Sequence, residues 1–324
     1  MKCRICSNTD NNKVFVVKEM MFGSKKEFDY FLCSTCNCLQ IREPVKDISN
    51  YYSDSYYSVN NSAHLKAPRG LKQKLKRWLI NKRNNYSVFN RSIIGKILSR
   101  FQSNTELESL SRIKITNKSR ILDVGCGIGA HLYFLEELGF ENILGIDPFN
   151  ENDILHDNGL RILKRSIKEI DTNWDIITYH HSLEHIVDPI SELRSVNDLL
   201  TSSGVCIIRT PTLDSYAWQH YKENWVQIDA PRHYHIFSLQ SIRKIAEETG
   251  FELYDYYYDS EAFQFWGSEQ YKSGIALIDK KSFAVNPGQS IFNKKEIMEF
   301  NKKSKKLNSE FFGDQVVIYL RKIK

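Results

Sequence analysis

The sequence predicts an α/β fold, a largely parallel sheet covered by helices, preceded by a small cysteine-rich module and a helical linker. Three observations carry this. From about residue 119 onward, apolar runs of strand length alternate with helical patterns, the mark of a parallel sheet with helices on both faces. The first of those runs ends in Asp123-Val124-Gly125-Cys126-Gly127-Ile128-Gly129-Ala130, a glycine turn from strand into helix. Five of the seven cysteines lie within the first 38 residues. With 324 residues, 41% of them hydrophobic, the chain can bury a full core of this kind and carry appendages.

Residues 1–45 form the first unit. Cys3-x-x-Cys6 and Phe31-Leu32-Cys33-x-x-Cys36 bracket a stretch with Val14, Phe15, Val16 and Val17. Two such knuckles supply four thiolates, a tetrahedral set suited to zinc. In a reducing compartment this clustering reads as a metal site rather than a disulfide scaffold. Four thiolates leave no open position, so the zinc is expected to be structural, in a segment too short to fold on a hydrophobic core alone. Cys38 is a spare beside the site, and Cys126 and Cys206 read as small packing residues. The N-terminus is polar from Met1-Lys2-Cys3-Arg4 and no apolar run approaches ~20 residues. The expectation is a cytoplasmic protein.

Residues 46–115 form the helical linker. They hold the pairs Tyr51-Tyr52 and Tyr56-Tyr57, and then Leu71, Leu75, Trp78 and Leu79 at helical spacing beside Lys72, Lys74, Lys76 and Arg77. The net charge of +6 is mild and comes largely from local basic runs, so it does not by itself imply nucleic acid. The basic stretch from Lys72 to Arg83 is ordinarily a solvated face. Its functional reading is attraction to a phosphate-bearing substrate, an anionic membrane surface or RNA.

Residues 116–324 form the third unit. Its strands are expected at Arg120–Val124, Ile143–Ile146, Leu160–Leu163, Asp175–Tyr179, Val205–Ile208, Phe251–Tyr258 and Gln315–Arg321. The helix after the glycine turn runs through Leu132, Leu135 and Leu138 and closes at Gly139. Asp188-Pro189 opens another, and Ser238 caps one that ends at Gly250. Residues 262–310 are an insertion before the last strand. Its Phe263, Phe265 and Trp266, with Tyr216, Trp218, Tyr221 and Trp225, suit either a cap over an acceptor pocket or ordinary core.

The glycine loop carries chemistry. Glycines at alternating positions let the backbone turn sharply and approach a ligand closely, and the following helix aims its unpaired N–H groups and positive dipole end at it. A dinucleotide fingerprint would be met as well by Gly125-x-Gly127-x-x-Ala130, and Asp147 after Ile143-Leu144-Gly145-Ile146 suits ribose hydroxyls in either reading. Asp123 separates them. Placed immediately before the turn, it suits an ammonium and is awkward beside a pyrophosphate.

Asp123-x-Gly125-x-Gly127-x-Gly129, then Asp147, then Leu183-Glu184-His185 and Asp188-Pro189, strongly resembles class I S-adenosylmethionine-dependent methyltransferases over about residues 116–324. The resemblance implies a Rossmann-like sheet of seven strands. It implies that Asp123 and the backbone of Gly125, Cys126, Gly127 and Gly129 hold the methionine end of S-adenosylmethionine and that Asp147 chelates the ribose. His181 and Leu183 would pass beneath the sulfonium. The family often has an acidic residue after the third strand for the adenine amine; here the stretch reads Lys164-Arg165-Ser166-Ile167, and Ser166 stands in its place. The cysteine module ahead of such a domain is similar to sugar C-methyltransferases acting on nucleotide-linked deoxysugars, although the further C-terminal domain usual in that subgroup is expected to be lacking.

Transfer to a hydroxyl or a C–H acid needs a base, and histidine fits near neutral pH. The candidates are His185, at the end of the fourth strand, and His233, in Asp229-Ala230-Pro231-Arg232-His233-Tyr234-His235. That second segment resembles a Pro-x-His element of the methyltransferase group. Glu184 is a base or an orienting partner for His185. His64, His131, His156 and His220 have no comparable context. The expected acceptor is a sugar hydroxyl or carbon on a nucleotide sugar or surface-polysaccharide precursor. The alternatives are an RNA methyltransferase gripping its substrate with the cysteine module and basic helix, a methyltransferase of another small molecule, and a non-catalytic cofactor-binding scaffold.

Overall fold

The computed structural model describes residues 1–52, 70–101 and 104–323. Tyr56, Tyr57 and His64 lie outside them. The described strands are β1 (Lys13–Lys18), β2 (Glu27–Leu32), β3 (Leu39–Ile41), β4 (Arg120–Val124), β5 (Asn142–Ile146), β6 (Ile154–Leu155), β7 (Arg161–Leu163), β8 (Trp174–His180), β9 (Leu200–Pro211), β10 (His235–Ile236), β11 (Phe251–Tyr258) and β12 (Gln315–Lys322). The described helices are α1 (Leu71–Phe89), α2 (Ile93–Ser99), α3 (Thr105–Glu108), α4 (Ala130–Glu137), α5 (Pro189–Leu199), α6 (Tyr216–Tyr221), α7 (Leu239–Glu248), α8 (Phe263–Lys272) and α9 (Lys294–Ser309). Among the described residues no helix is long and apolar enough to cross a membrane.

All seven expected strands form, but the sheet that contains them has eight, in the order β11-β12-β9-β8-β4-β5-β7-β6. The extra one is the edge strand β6, two residues long and antiparallel to β7. A two-residue strand is too short to show a hydrophobic period. The inner strands β8, β4, β5 and β7 are parallel, and β11 and β12 are antiparallel. A second sheet, β1-β2-β3-β10, is antiparallel throughout. The expected cap holds: Ser238 Oγ accepts from Ser241 N at 3.0 Å, starting α7.

The chain divides into two compact units. One comprises Met1–Tyr51, Leu183–Arg194 and Ile208–Ile323. Its β1 alternates as a half-buried strand should: Phe15 and Val17 point inward, and Val14 and Val16 outward. The inward pair joins Tyr30, Leu39 and Ile41 in one core with Trp218, Trp225, Ile236 and Phe265. The rings of Phe15 and Trp218 meet edge to face, centroids 5.2 Å apart. Trp218, Tyr221 and Trp225 are therefore core here, as is Phe265 in α8. The N-terminal strands do not close a core of their own, in keeping with their size; they share that of residues 213–237.

The other unit comprises Tyr52–Ser182 and Ser195–Ile207. Its core is built on β4, β5 and β8, with Ile121, Leu122, Ile146 and Ile177 fully buried, and on the inner face of α4 at Leu132 and Leu135. Gly139 follows α4 at φ 86°, the left-handed position that suits a glycine C-cap.

Candidate active site

In the second unit β4 delivers the glycine loop. Gly125, Gly127 and Gly129 have φ of 71°, 55° and 77°, all left-handed. At Gly125 a Cβ would also collide with the Cβ of Ser182, whose hydroxyl donates to Val124 O at 2.7 Å. The neighbouring His181 takes a left-handed φ of 52°, and Leu183 is fully buried. The Asp147 carboxylate accepts Gly127 N at 2.8 Å and Phe149 N at 2.9 Å, so the loop is cinched onto the end of β5. Two further braces reach loop carbonyls: Asn150 Nδ2 donates to Gly127 O and His156 Nε2 meets Ile128 O, each at 2.8 Å. Cys126 packs its sulfur against Gly145, where no Cβ would fit.

Asp123 is 3% exposed and accepts from Thr178 Oγ1 at 2.6 Å. Burial pushes its carboxyl up to about 7 against that hydrogen bond, with Glu106 and Asp147 adding repulsion. A cation placed against it would reverse the shift, so the position fits a cofactor's ammonium. Asp147 is raised by burial as well, against its two backbone donors. Ser166 offers less: its hydroxyl and backbone N–H both engage Glu169 Oε2 at 2.8 Å, in a capping box.

In the first unit the one-turn segment Leu183–His185 and the loop Asp229–Tyr234 bring Glu184, His185 and His233 together. The two imidazoles meet edge to face with centroids 4.6 Å apart. His185 Nδ1 lies 3.0 Å from Arg232 O, and His233 Nδ1 2.8 Å from Gln227 O. A carbonyl can only accept, so each Nδ1 carries the proton and each Nε2 presents a lone pair. Glu184 is fully buried, and its Oε2 accepts from Thr210 Oγ1 at 3.0 Å. Burial, reinforced by His233, holds His185 down to about 4, which makes it a neutral and weak base at pH 7 and leaves His233 the stronger candidate.

Arg232 holds the His233 loop. It is fully buried and grips Asp229 through two nitrogens, Nε at 2.9 Å and Nη2 at 2.5 Å. Nη2 also reaches Glu19 Oε1 at 3.3 Å, and Nη1 the carbonyl of Tyr51 at 3.1 Å. Burial would raise Asp229, but the guanidinium holds it below its ordinary value. Tyr30 donates its hydroxyl to His233 O at 2.8 Å. Sequence reasoning quoted Arg232 without a role and missed Glu19 and Thr178. The Glu19 contact spans 213 residues, and no local pattern announces it.

Cys3, Cys6, Cys33 and Cys36 place their sulfurs within 4.8 Å of one another. Cys3 and Cys36 are 3.5 Å apart, Cys6 and Cys33 3.4 Å, and none forms a disulfide. Tetrahedral zinc with Zn–S of ~2.3 Å needs sulfurs ~3.8 Å apart, so the set fits. Gln40 Nε2 donates to Cys3 Sγ at 2.9 Å, and the backbone N–H groups of Ile5 and Cys6 point at the same sulfur at 3.4 Å, an outer shell suited to a thiolate. Cys38 is buried beside the set with its sulfur near Leu39 O.

Residues 83–256, just over half of the chain, match the sequence model of a family described as "Methyltransferase domain". A ubiquinone biosynthesis O-methyltransferase of Ruegeria pomeroyi is 28% identical over 180 residues, covering 52% of this chain and 64% of that protein. Among solved structures, the cyclopropane synthase MmaA2 of Mycobacterium tuberculosis aligns over 66% of this chain and 81% of its own, at 17% identity and TM-score 0.42. An S-adenosylmethionine-dependent methyltransferase of Mesorhizobium loti aligns over 66% and 95%, at 14% identity and TM-score 0.43.

Proposed function

The chain belongs to this methyltransferase family, and on that premise we propose that it moves the methyl group of S-adenosylmethionine onto a hydroxyl or carbon of a small sugar-type acceptor. A nucleotide sugar or a surface-polysaccharide precursor is the acceptor class. The observation that carries the reading is the His185–His233 pair, each ring locked by a backbone carbonyl so that Nε2 can take a proton. Asp123 and the backbone of Gly125, Cys126, Gly127 and Gly129 hold the methionine end, Asp147 the ribose, and His181 and Leu183 the region below the sulfonium. The sulfonium supplies a methyl whose leaving group is a neutral thioether and needs no acid. His233 Nε2 takes the acceptor's proton as its oxygen or carbon bonds the methyl. Glu184 and His185 orient and polarise that histidine. Cys3, Cys6, Cys33 and Cys36 hold a structural zinc.

The test is label transfer from methyl-labelled S-adenosylmethionine into an extract of the source organism, followed by separation of sugar nucleotides, glycolipids, other small molecules, RNA and protein. Label in the sugar fractions supports the reading, and label in RNA alone overturns it. The Ruegeria relatives carry an O-methyltransferase name, which favours a hydroxyl acceptor and makes a non-sugar small molecule the second reading. The activity, substrates and partners of those relatives remain theirs, since the match spans 64% of their length.

Asp123 gives this reading a pH signature. With the Asp123 carboxyl raised to about 7 and lowered again by an ammonium beside it, cofactor binding below that pH releases a proton. Affinity for S-adenosylhomocysteine therefore rises with pH through about 7 and levels above it, roughly tenfold between pH 6 and pH 8. Asp123→Asn removes a charged hydrogen-bond acceptor worth ~1.5–3 kcal/mol and should weaken binding by about 10- to 100-fold. Calorimetric titrations of wild type and variant across that range read both effects; a flat wild-type profile would count against the ammonium role.

A further inference from the structure

We propose that the hairpin of α1 and α2 is a docking surface for an anionic lipid membrane. The inference is independent of the acceptor class proposed above. From Leu71 to Arg100 the chain holds nine Lys and Arg residues and no Asp or Glu. The same stretch, with Phe101, exposes large apolar side chains: Leu71, Ile93 and Phe101 are 87%, 83% and 87% exposed, and Leu75, Trp78, Ile94 and Ile97 are exposed as well.

Their positions on the helices give this surface a direction. At about 100° per residue, Leu71, Leu75, Trp78 and Lys82 fall on one stripe of α1. Lys72 and Lys74 flank it on either side. The buried residues of α1, Asn84, Ser87 and Val88, lie on the opposite side. Arg77 points to that inner side as well, where Nε meets Glu137 Oε1 at 2.6 Å and the guanidinium lies over Tyr133 and Phe134. Leu71, Leu75 and Trp78 are exposed on this stripe, and α2 covers the same face only further along, at Lys82 and Tyr86. In α2 the contact residue is Gly95, which packs so closely on Lys82 and Tyr86 of α1 that a Cβ would not fit. Ile93, Ile97 and Arg100 fall on the far side of α2 from that contact. Both helices thus turn a mixed apolar and cationic face outward, and Lys82 lies over the Trp78 ring at 5.5 Å.

Such a face matches a lipid headgroup boundary. Aliphatic and indole side chains enter the acyl edge while lysines, long enough to reach outward, meet the lipid phosphates. RNA would use the charges but gains little from exposed Leu71, Leu75, Ile93 and Ile97, since bases stack on aromatic rings. A second copy of the chain would cover the apolar residues but would bring nine more positive charges against the first nine.

The experiment is flotation of the full chain with large unilamellar vesicles of phosphatidylcholine and phosphatidylglycerol at 7:3, beside vesicles of phosphatidylcholine alone. The expected result is binding to the anionic vesicles only, weakening as salt rises. Two variants altered only at exposed positions separate the contributions. Lys72→Gln/Lys74→Gln/Lys76→Gln should lower partitioning roughly a hundredfold, at about fivefold for each charge. Leu71→Ser/Leu75→Ser/Ile93→Ser should lower it by at least tenfold with the charge retained. Thermal melting and S-adenosylhomocysteine affinity should stay at wild-type values in both. No flotation, equal flotation with neutral vesicles, or flotation untouched by both variants overturns the proposal. So does RNA retardation that depends on the three lysines while the vesicles are ignored. Self-association in sedimentation that the apolar variant abolishes, again without vesicle binding, overturns it in favour of a dimer face.

Discussion

Removing metal from Cys3, Cys6, Cys33 and Cys36 is expected to unfold far more than the first 45 residues. The four sulfurs sit at one end of a sheet whose fourth strand, β10, comes from the distant segment His235–Ile236. Ser238 Oγ donates to Cys36 O at 2.9 Å and Gln240 Nε2 to Thr35 O at 2.9 Å, so the second knuckle also braces the start of α7. Arg4, next to the first knuckle, donates to Ile41 O at 2.7 Å and through Nε to His235 Nε2 at 3.3 Å. Without metal, the sulfurs stand 3.4–3.5 Å apart with no covalent link between them. Structural zinc contributes an apparent ~10–16 kcal/mol in small zinc domains. Even a third of that, at ~2–4 °C per kcal/mol, lowers the melting temperature by about 10 °C or more. Elemental analysis should find one zinc per chain, and melting should fall after chelation and in Cys33→Ser. A chain with no zinc that melts unchanged on chelation would make the cysteines plain core thiols.

His233→Ala is expected to lower kcat by about 10²–10⁴ with little change in affinity for S-adenosylhomocysteine. His185→Ala should cost less. Burial already holds His185 near 4, so above about pH 5 it is neutral in the wild type and its loss removes an oriented neighbour. Label transfer with each variant, beside its binding isotherm, separates chemistry from folding. Turnover at the wild-type rate in the double variant would remove both histidines from the mechanism.

The parts legible in the sequence were those written in local patterns. β4, β8 and β12 show as short, mostly apolar runs of strand length, because central strands are buried on both faces. The glycine turn shows because only glycine tolerates three left-handed positions so close together. The paired cysteine spacing and the Ser238 cap are equally local. What stayed hidden depends on residues far apart in the chain. β10 is two residues long, and its register with β3 is set by a partner almost 200 residues away. The buried grip of Arg232 on Asp229 and Glu19 looks, in sequence, like ordinary surface charge. The aromatic residues Trp218, Tyr221 and Trp225 suited a pocket lid as well as a core, and only their packing against Phe15 and Tyr30 decides for core.

The pairing of β3 with β10 has a consequence for how the chain is made. The cysteine segment leaves the ribosome with three strands of a four-stranded sheet and an open edge at Leu39–Ile41. At ~5–20 residues per second, its partner emerges roughly 10–40 s later. During that interval both cysteine knuckles are already outside and can capture zinc, whereas the core that buries Phe15 and Tyr30 does not yet exist. A metal bound by the knuckles would then precede tertiary closure and make them the template on which the His233 loop is laid down. A nascent chain stalled before residue 235 should bind zinc and still leave that strand edge exposed.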